Sequence, residues 1–394
     1  MRRLLPGVML ALAVGGMNGC AWLRGKDNVE PPAELADFEV SVRLESLWER
    51  DMGAGIDEQF LRLRPAVDGG RVFAADRKGE VSAVDAATGK IIWETKTGIA
   101  VSSGVGVGDG LVLVGSSEAE LVALDWNDGH EVWRATLTSE ILSAPAAGNG
   151  KVVVQTVDGK LTGLNVADGT RAWVLDRSVP VLSLRGTSTP RLVQGAVVAA
   201  FDDGKLAVLD PERGLPAWET SIAVARGRSE LERMVDIDAP PQIWGGTIYA
   251  ATYQGRVAAV EGNSGRVLWS RDMSSAAGVG VDFGQVYVTD DGSNVWALER
   301  ANGASAWKQD KFQRRALTAP VPFGEYVVVA DFEGYVHLLA RYDGAIVGRE
   351  RVDSKGVLAA PVVDGDTLFV YGNGGKLAAY RIAGARDLGL GTRD

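Results

Sequence analysis

The chain has 394 residues, of which 51 are acidic and 41 are basic, so its formal net charge at pH 7 is −10. Such a charge repels nucleic acid and anionic lipid on average, and no basic run with interleaved aromatic residues offsets it. A chain of this length buries a sizeable core, and its single cysteine excludes an intramolecular disulfide.

Residues 1–19 have the pattern of an export signal peptide. Arg2 and Arg3 precede an apolar run at residues 8–14, which is too short to span a bilayer. Cys20 follows Gly19 directly, and this junction resembles the lipobox of bacterial lipoproteins, in which the cysteine is acylated and becomes the mature N-terminus. The alternative is ordinary signal cleavage, which would leave Cys20 as a free thiol.

The lipoprotein resemblance also implies a location in the cell envelope. Ala21 follows the cysteine, whereas an aspartate there favours inner-membrane retention in lipoproteins generally. We therefore expect a lipid anchor in the outer membrane, on its periplasmic face. Residues 20–40, which contain Pro31 and Pro32, are interpreted as the lipidated cysteine and a flexible tether.

Tryptophans recur along the rest of the chain at a nearly constant interval. The recurring residues are Trp48, Trp93, Trp133, Trp173, Trp218, Trp269 and Trp307. They are separated by 45, 40, 40, 45, 51 and 38 residues. A period of this size is typical of repeat proteins in which each repeat is one sheet that packs on its neighbours.

A longer pattern surrounds the tryptophans: a glycine, an alternating apolar run, a second glycine and then the tryptophan. It is clearest in segments 79–93, 159–173, 204–218 and 255–269. Ala119 replaces the leading glycine in one copy, and Gly348 replaces the tryptophan in another. The alternation predicts strands, and the second glycine suits a tight hairpin. With two further strands upstream, each repeat has the size of a four-stranded propeller blade.

The two ends of the chain predict how the ring closes. Residues 44–49 look like a lone tryptophan-bearing fourth strand, and the C-terminal repeat, about 357–382, lacks that strand. Pairing them would remove two exposed sheet edges. The sequence therefore predicts an all-β, eight-bladed propeller of antiparallel four-stranded blades over residues 41–383, followed by a C-terminal tail at 384–394.

Two consecutive tryptophan intervals are longer than 40 residues, by 5 and by 11. The extra residues fall between the tryptophan strand and the first strand of the next blade, so both insertions should stand side by side on one face. Insertions confined to one face of a repeat protein commonly mark its binding face.

The residues of these insertions suit a protein-binding patch. The first contains Leu182, Leu184 and Arg185, and the second contains a possible helical turn at 229–234, with Arg233, followed by Asp236 and Asp238. Apolar anchors with flanking charges are common in protein interfaces. The alternative is that Arg185 pairs with the aspartates and orders the loops.

Catalytic constellations are hard to find. The two histidines, His130 and His337, fall in different repeats, and we expect each to be solvated or partly packed rather than a metal ligand. The glycine-rich segment 104–110 precedes a strand, not a helix N-terminus, so it is interpreted as a hairpin rather than a phosphate loop. We expect no cofactor and no enzymatic activity.

From the lipobox to about residue 382 the chain resembles the BamB family of outer-membrane assembly lipoproteins, most specifically in segments 182–190 and 232–241. The resemblance implies an eight-bladed propeller that docks the POTRA region of BamA and helps deliver nascent outer-membrane proteins. In this family the docking residues lie in those two segments, and they map onto Leu182, Leu184, Arg185, Asp236 and Asp238.

Two alternatives share the repeat. One is a quinoprotein dehydrogenase that uses pyrroloquinoline quinone and calcium. Such enzymes are longer, and many carry a vicinal disulfide that one cysteine cannot form. The other alternative is a periplasmic propeller scaffold for a different envelope protein.

Overall fold

The computed structural model describes residues 30–180, 182–224 and 228–383, and every regular element in these ranges is a β-strand. The predicted signal peptide, Cys20 and the tail at 384–394 lie outside the described residues. No helix long and apolar enough to cross a membrane occurs in the part of the chain that the structure describes.

The strands form eight antiparallel sheets of four, which confirms the predicted propeller. Strand β1 is Leu44–Asp51. Blade 1 contains β2 (Ala66–Asp68), β3 (Arg71–Ala75), β4 (Glu80–Asp85) and β5 (Ile91–Lys96). Blade 2 contains β6 (Gly106–Gly108), β7 (Leu111–Gly115), β8 (Glu120–Asp125) and β9 (Glu131–Thr136). Blade 3 contains β10 (Ala146–Gly148), β11 (Lys151–Gln155), β12 (Lys160–Asn165) and β13 (Arg171–Asp176).

The remaining blades repeat this order. Blade 4 contains β14 (Arg191–Val193), β15 (Ala196–Ala200), β16 (Lys205–Leu209) and β17 (Pro216–Ser221). Blade 5 contains β18 (Gln242–Trp244), β19 (Thr247–Ala251), β20 (Arg256–Glu261) and β21 (Val267–Asp272). Blade 6 contains β22 (Gly278–Val281), β23 (Gln285–Thr289), β24 (Val295–Glu299) and β25 (Ser305–Gln309). Blade 7 contains β26 (Val321–Phe323), β27 (Tyr326–Ala330), β28 (Tyr335–Ala340) and β29 (Ile346–Arg351).

Blade 8 is built from both ends of the chain, as predicted. It contains β30 (Val362–Asp364), β31 (Thr367–Tyr371) and β32 (Lys376–Ile382), with β1 as its outer strand. Strand β1 pairs antiparallel with β32, from Leu44 opposite Ile382 to Asp51 opposite Lys376. In every blade the first strand is innermost, and the first strands of successive blades adjoin one another around a central channel.

The tryptophans join each blade to the next. Each indole Nε1–H donates to a backbone carbonyl in the turn between the third and fourth strands of the following blade, at 2.7–3.1 Å. The acceptors, in chain order, belong to Ala86, Trp126, Val166, Pro211, Gly262, Arg300 and Arg341. We call this contact the tryptophan–turn clamp. It is the physical reason for the sequence period.

The turn glycine of each repeat has a second role that its φ alone does not reveal. Gly169 has φ +68°, and a Cβ on it would lie 2.5 Å from Cε3 of Trp133. The indole therefore lies directly on the glycine, with no room for a side chain. The same crowding occurs at Gly89, Gly129, Gly214, Gly265, Gly303 and Gly344.

Blade 7 lacks a tryptophan because the N-terminal segment passes over its outer strand. The amides of Ser41 and Val42 both donate to the carbonyl of Val347, at 3.1 and 3.0 Å. A Cβ on Gly348 would lie 2.6 Å from the Val42 carbonyl oxygen. Blade 8 also has no covalent turn between its third and fourth strands, so a tryptophan at 348 would have no turn to hold.

The described part of the predicted tether is attached to blades 6 and 7 from Ala33 onward. The Ala33 amide donates to the Gln313 carbonyl at 2.9 Å, and Arg315 donates to the Ala33 carbonyl at 2.9 Å. Arg349 donates to the Ala36 carbonyl at 3.0 Å. Residues 33–42 are therefore part of the folded unit and not a free spacer.

The two histidines have different environments. His130 is exposed in a turn, as expected. His337 is fully buried, and this differs from the expected solvated or partly packed residue. Its Nε2 lies 3.0 Å from the Asp331 carboxylate, and its Nδ1 accepts from Arg349. Burial lowers the pKa of His337, so its ring is neutral. The ring links Asp331 to Arg349, which holds the N-terminal segment at Ala36.

The clamp predicts unequal costs for two glycine substitutions in blade 3. Gly169→Ala strains a left-handed residue and also displaces the Trp133 ring, whereas Gly150, with φ +76°, has no atom near its would-be Cβ. We expect Gly150→Ala to cost about 1–2 kcal/mol from backbone strain, and Gly169→Ala to cost roughly 1–3 kcal/mol more from overpacking. Urea unfolding of the two variants measures the difference, and equal costs would contradict the clamp.

Candidate partner-binding site on the insertion loops

The two predicted insertions lie where the tryptophan spacing placed them. Insertion loop 1 (177–190) joins blades 3 and 4, and insertion loop 2 (222–241) joins blades 4 and 5. They contain 14 and 20 residues, whereas the equivalent segments 97–105 and 137–145 contain 9. Because every blade has the same strand order, all connections from an outer strand to the next inner strand emerge on one face. The insertion loops are therefore neighbours on that face.

The described residues of insertion loop 2, 222–224 and 228–241, make defined contacts with the propeller and with each other. Ile222 and Ile237 are buried in the core between blades 4 and 5. Between them, the Arg233 amide donates to the Ser229 carbonyl at 3.1 Å, which closes the predicted helical turn. The Glu232 amide donates to Oγ of Ser229 at 3.2 Å, and the Glu232 carboxylate accepts the Ser229 amide. This reciprocal arrangement is a capping box, which stabilises the start of the turn.

The two loops are fastened to each other. The Leu184 amide donates to the Asp236 carboxylate at 2.9 Å, and the Ser188 hydroxyl donates to the Ala239 carbonyl at 3.0 Å. A Cβ on Gly186 would lie 2.5 Å from Oδ1 of Asp238, so only glycine permits this approach. Insertion loop 1 therefore rests on the aspartate-bearing end of insertion loop 2.

The predicted site residues divide into two groups by burial. Leu182, at 45% relative exposure, Arg185 and Arg233 are exposed, and Leu184 is half-buried. Asp236 and Asp238 are buried. The aspartates are thus placed to order the loops, while the other residues are placed to meet a partner.

The exposed arginines do not pair with these aspartates. Arg185 pairs with Glu140 at 2.9 Å, with 52% of its side chain exposed, and Arg233 pairs with Glu230 within its own turn. The alternative in which Arg185 orders the loops through the aspartates is therefore not what the structure contains. The loops are instead joined by the Leu184 amide, which donates to the Asp236 carboxylate, and by the Ser188 hydroxyl, which donates to the Ala239 carbonyl.

Sequence reasoning missed several exposed residues on this face. Val179, Val224 and Leu231 are exposed apolar side chains of the insertion loops, whereas Met234 is buried. The connection 52–65, between blades 8 and 1, is also 14 residues long and exposes Phe60. The 45-residue interval from Trp48 to Trp93 was the signal for this third long connection.

Three buried carboxyl groups lie beneath the loops. Burial, together with the charge of Asp238, raises the pKa of Asp202 to about 7. Burial and neighbouring carboxylates likewise raise the pKa of Asp236, and burial raises the pKa of Asp238. One oxygen of each carboxyl group has no hydrogen-bond partner. These three carboxyl groups therefore favour the protonated form at pH values well above the usual titration range of aspartate.

One group of potential metal ligands occurs within the described ranges, and it lies away from the insertion loops. Asp125, Asp128 and His130 occupy an outer turn of blade 2, on the opposite face. Nδ1 of His130 lies 2.6 Å from the Asp128 carboxylate, so these two side chains already partner each other. We therefore interpret these three residues as polar side chains of an exposed turn.

Comparison with known proteins agrees with this architecture. A family model described as "Outer membrane protein assembly factor BamB" matches residues 44–101 and 77–309. The protein of that name from Pseudomonas aeruginosa is 54% identical over 374 residues, which cover 95% of this chain and 98% of that one. The crystal structure of BamB from Moraxella catarrhalis has a TM-score of 0.80 at 27% identity and covers 86% of this chain and 99% of that one.

A quinohemoprotein alcohol dehydrogenase from Comamonas testosteroni is similar in fold alone. Its TM-score is 0.68 at 15% identity, over 86% of this chain and 76% of that one. Fold and loops together therefore define an eight-bladed propeller with two long, mutually bonded loops on one face. The chain belongs to the BamB family of outer membrane protein assembly factors.

The buried carboxyl groups predict that acid stabilises the folded protein. Their folded-state pKa values are raised above the unfolded value near 3.8, so the folded state holds these protons more tightly. The contribution of these groups to the free energy of unfolding is therefore greatest below about pH 4, and it falls as the pH rises through about 7. Asp236→Asn should raise the free energy of unfolding by about 1 kcal/mol or more at pH 8, and by a clearly smaller amount at pH 5.

Urea unfolding at both pH values, followed by tryptophan fluorescence, measures this effect. Asp176→Asn, at an exposed aspartate just before insertion loop 1, is the matched control and should leave the pH dependence unchanged. A lower stability of Asp236→Asn at pH 8 would show that the charged carboxylate is the stabilising form.

Proposed function

We propose that the protein is a non-enzymatic, lipid-anchored subunit of the machinery that assembles β-barrel proteins in the outer membrane. In this proposal it docks the POTRA region of a BamA-like insertase and aids delivery and insertion of nascent outer-membrane proteins. The names of its relatives support the assembly role. One observation supports this docking surface: the two insertion loops are fastened to each other and expose apolar and basic side chains on one face.

Leu182 and Leu184 would be the apolar anchors of the docking site, with Arg185 and Arg233 as flanking charges. Exposed apolar residues beside arginine are the usual centre of a protein interface. Asp236 and Asp238 would act by holding the loops in place, since the Leu184 amide and Gly186 rest on their carboxyl groups. A loop that is ordered before binding loses little entropy when its partner arrives.

Nascent clients would meet a different part of the propeller. The outer strand of each blade has a partner on one side only within its sheet. Such an edge can accept an extended segment of another chain by strand addition. We propose transient pairing of this kind with unfolded outer-membrane proteins, beside anchoring at Cys20 on the periplasmic face of the outer membrane.

Charge reversal at Arg185 tests the docking site. Arg185→Glu should abolish capture of the BamA-like insertase from detergent-solubilised envelopes. It should leave thermal unfolding unchanged, because the ion pair with Glu140 is exposed and such pairs contribute only about 0–1 kcal/mol. The readouts are co-purification of tagged full-length protein, with mass spectrometry, and a thermal melt.

Arg266→Glu is the matched control. Arg266 is an exposed arginine paired with Glu261 in an outer turn of blade 5, on the opposite face. This variant should retain full capture. Undiminished capture by Arg185→Glu would remove the insertion loops from the proposal.

A further inference from the structure

The central channel contains a cavity of about 720 Å³, a size typical of small-molecule sites. Its walls are the inner strands and the connections that lead into them. Much of the lining is small or apolar, as at Gly106, Val107 and Ala147. Charged groups in such a setting are costly unless something neutralises them.

Two arginines face this cavity without a carboxylate partner. Arg64 ends the connection into blade 1, and Arg191 begins β14 of blade 4; both are partly buried. Arg64 donates Nε–H to the Ala360 carbonyl at 3.3 Å. The side chain of Arg191 has neither a hydrogen bond nor an ion pair among residues 30–180, 182–224 and 228–383. Both side chains line the same cavity, and burial together with the charge of Arg191 lowers the pKa of Arg64 to about 10.

Two hydroxyl groups in the same lining are also unsatisfied. Ser143 and Thr187 are 5% and 7% exposed, and neither hydroxyl has a hydrogen-bond partner. Ser143 is three residues before the inner strand of its blade. The hydroxyls at the same position in other blades, Ser103, Ser275 and Thr318, are all bonded to backbone groups. Ser143 is therefore an exception to the repeat.

Four carboxylates line the cavity, and one of them, Asp68, is exposed at the end of β2. Asp290 accepts from Asn294 and Trp296, and Asp291 accepts from Ser274 and the Ala276 amide. Asp238 lies near Arg62, whose charge lowers its pKa against the effect of burial. None of the four forms an ion pair with Arg64 or Arg191 within the described residues. The arginine pair thus has positive charge and hydrogen-bond donors to offer, and no counter-ion.

We propose that the channel binds a small oxyanion, a carboxylate or phosphate group, between Arg64 and Arg191, with the Ser143 and Thr187 hydroxyls as additional donors. Guanidinium groups match such anions by paired, charge-assisted hydrogen bonds. The apolar lining can contact a short hydrocarbon part of a carboxylate ligand. This site lies in the channel and borders the docking surface, because Thr187 belongs to insertion loop 1 and Arg185 also lines the cavity.

Titration of the purified full-length protein with inorganic phosphate and with malonate tests the site. Calorimetry gives the affinity, and thermal melts give a midpoint that rises with anion concentration. Sodium chloride at the same ionic strength should produce neither effect. Arg191→Gln should weaken binding at least about tenfold, and Ser143→Ala, which removes only a hydroxyl, should weaken it by a smaller factor.

Arg256→Gln, at an exposed arginine paired with Asp272, is the control and should bind like the unaltered protein. Binding of phosphate alone or of malonate alone would support the site and assign its ligand class. Binding of neither anion, or equal binding by Arg191→Gln, would overturn the proposal. Ser143→Ala keeps the test decisive if Arg191→Gln does not fold, because unaltered affinity in that variant would exclude the hydroxyl from the site.

Discussion

The tryptophan–turn clamp joins successive blades, and most of the architecture depends on it. Each indole buries about 150–250 Å², and its N–H adds a hydrogen bond worth roughly 0.5–1.5 kcal/mol net. The contact requires glycine in the facing turn, as at Gly169 beneath Trp133. Because one blade holds the next in this way, the spacing of the clamps fixes where each connection emerges. The loops can then vary in length without disturbing the ring.

The clamp cannot operate where the chain begins and ends. Blade 8 has no covalent turn between β32 and β1, so the outer strand of blade 7 carries Gly348 and receives the N-terminal segment in place of an indole. Arg315 and Arg349 hold that segment through its carbonyls, and Asp331 and His337 hold the arginines. Closure of the ring and attachment of the N-terminal segment are thus one structural solution.

The blade number, the ring closure and the position of both insertions were predictable, because tryptophan spacing and turn glycine report the clamp directly. Burial was not predictable. Asp236 and Asp238 look like surface charges in the sequence, yet Asp236 accepts from the Leu184 amide and Asp238 lies against Gly186, so both are beneath the loops. The attachment of residues 33–42 was missed because this segment contributes only backbone groups to these hydrogen bonds, and backbone groups leave no pattern in its side-chain types. The docking role of Leu182, Leu184, Arg185 and Arg233 stays a prediction.

The account's central claim is that the propeller presents one ordered loop face to its partner. Hydrogen exchange of the full-length protein, alone and with the POTRA region of a BamA-like insertase, tests it most directly. We predict slower amide exchange in the partner's presence at residues 182–190 and 228–241, with no change in the outer turns of the opposite face. Protection of those outer turns, such as 262–266, with unchanged exchange in the insertion loops would contradict the account.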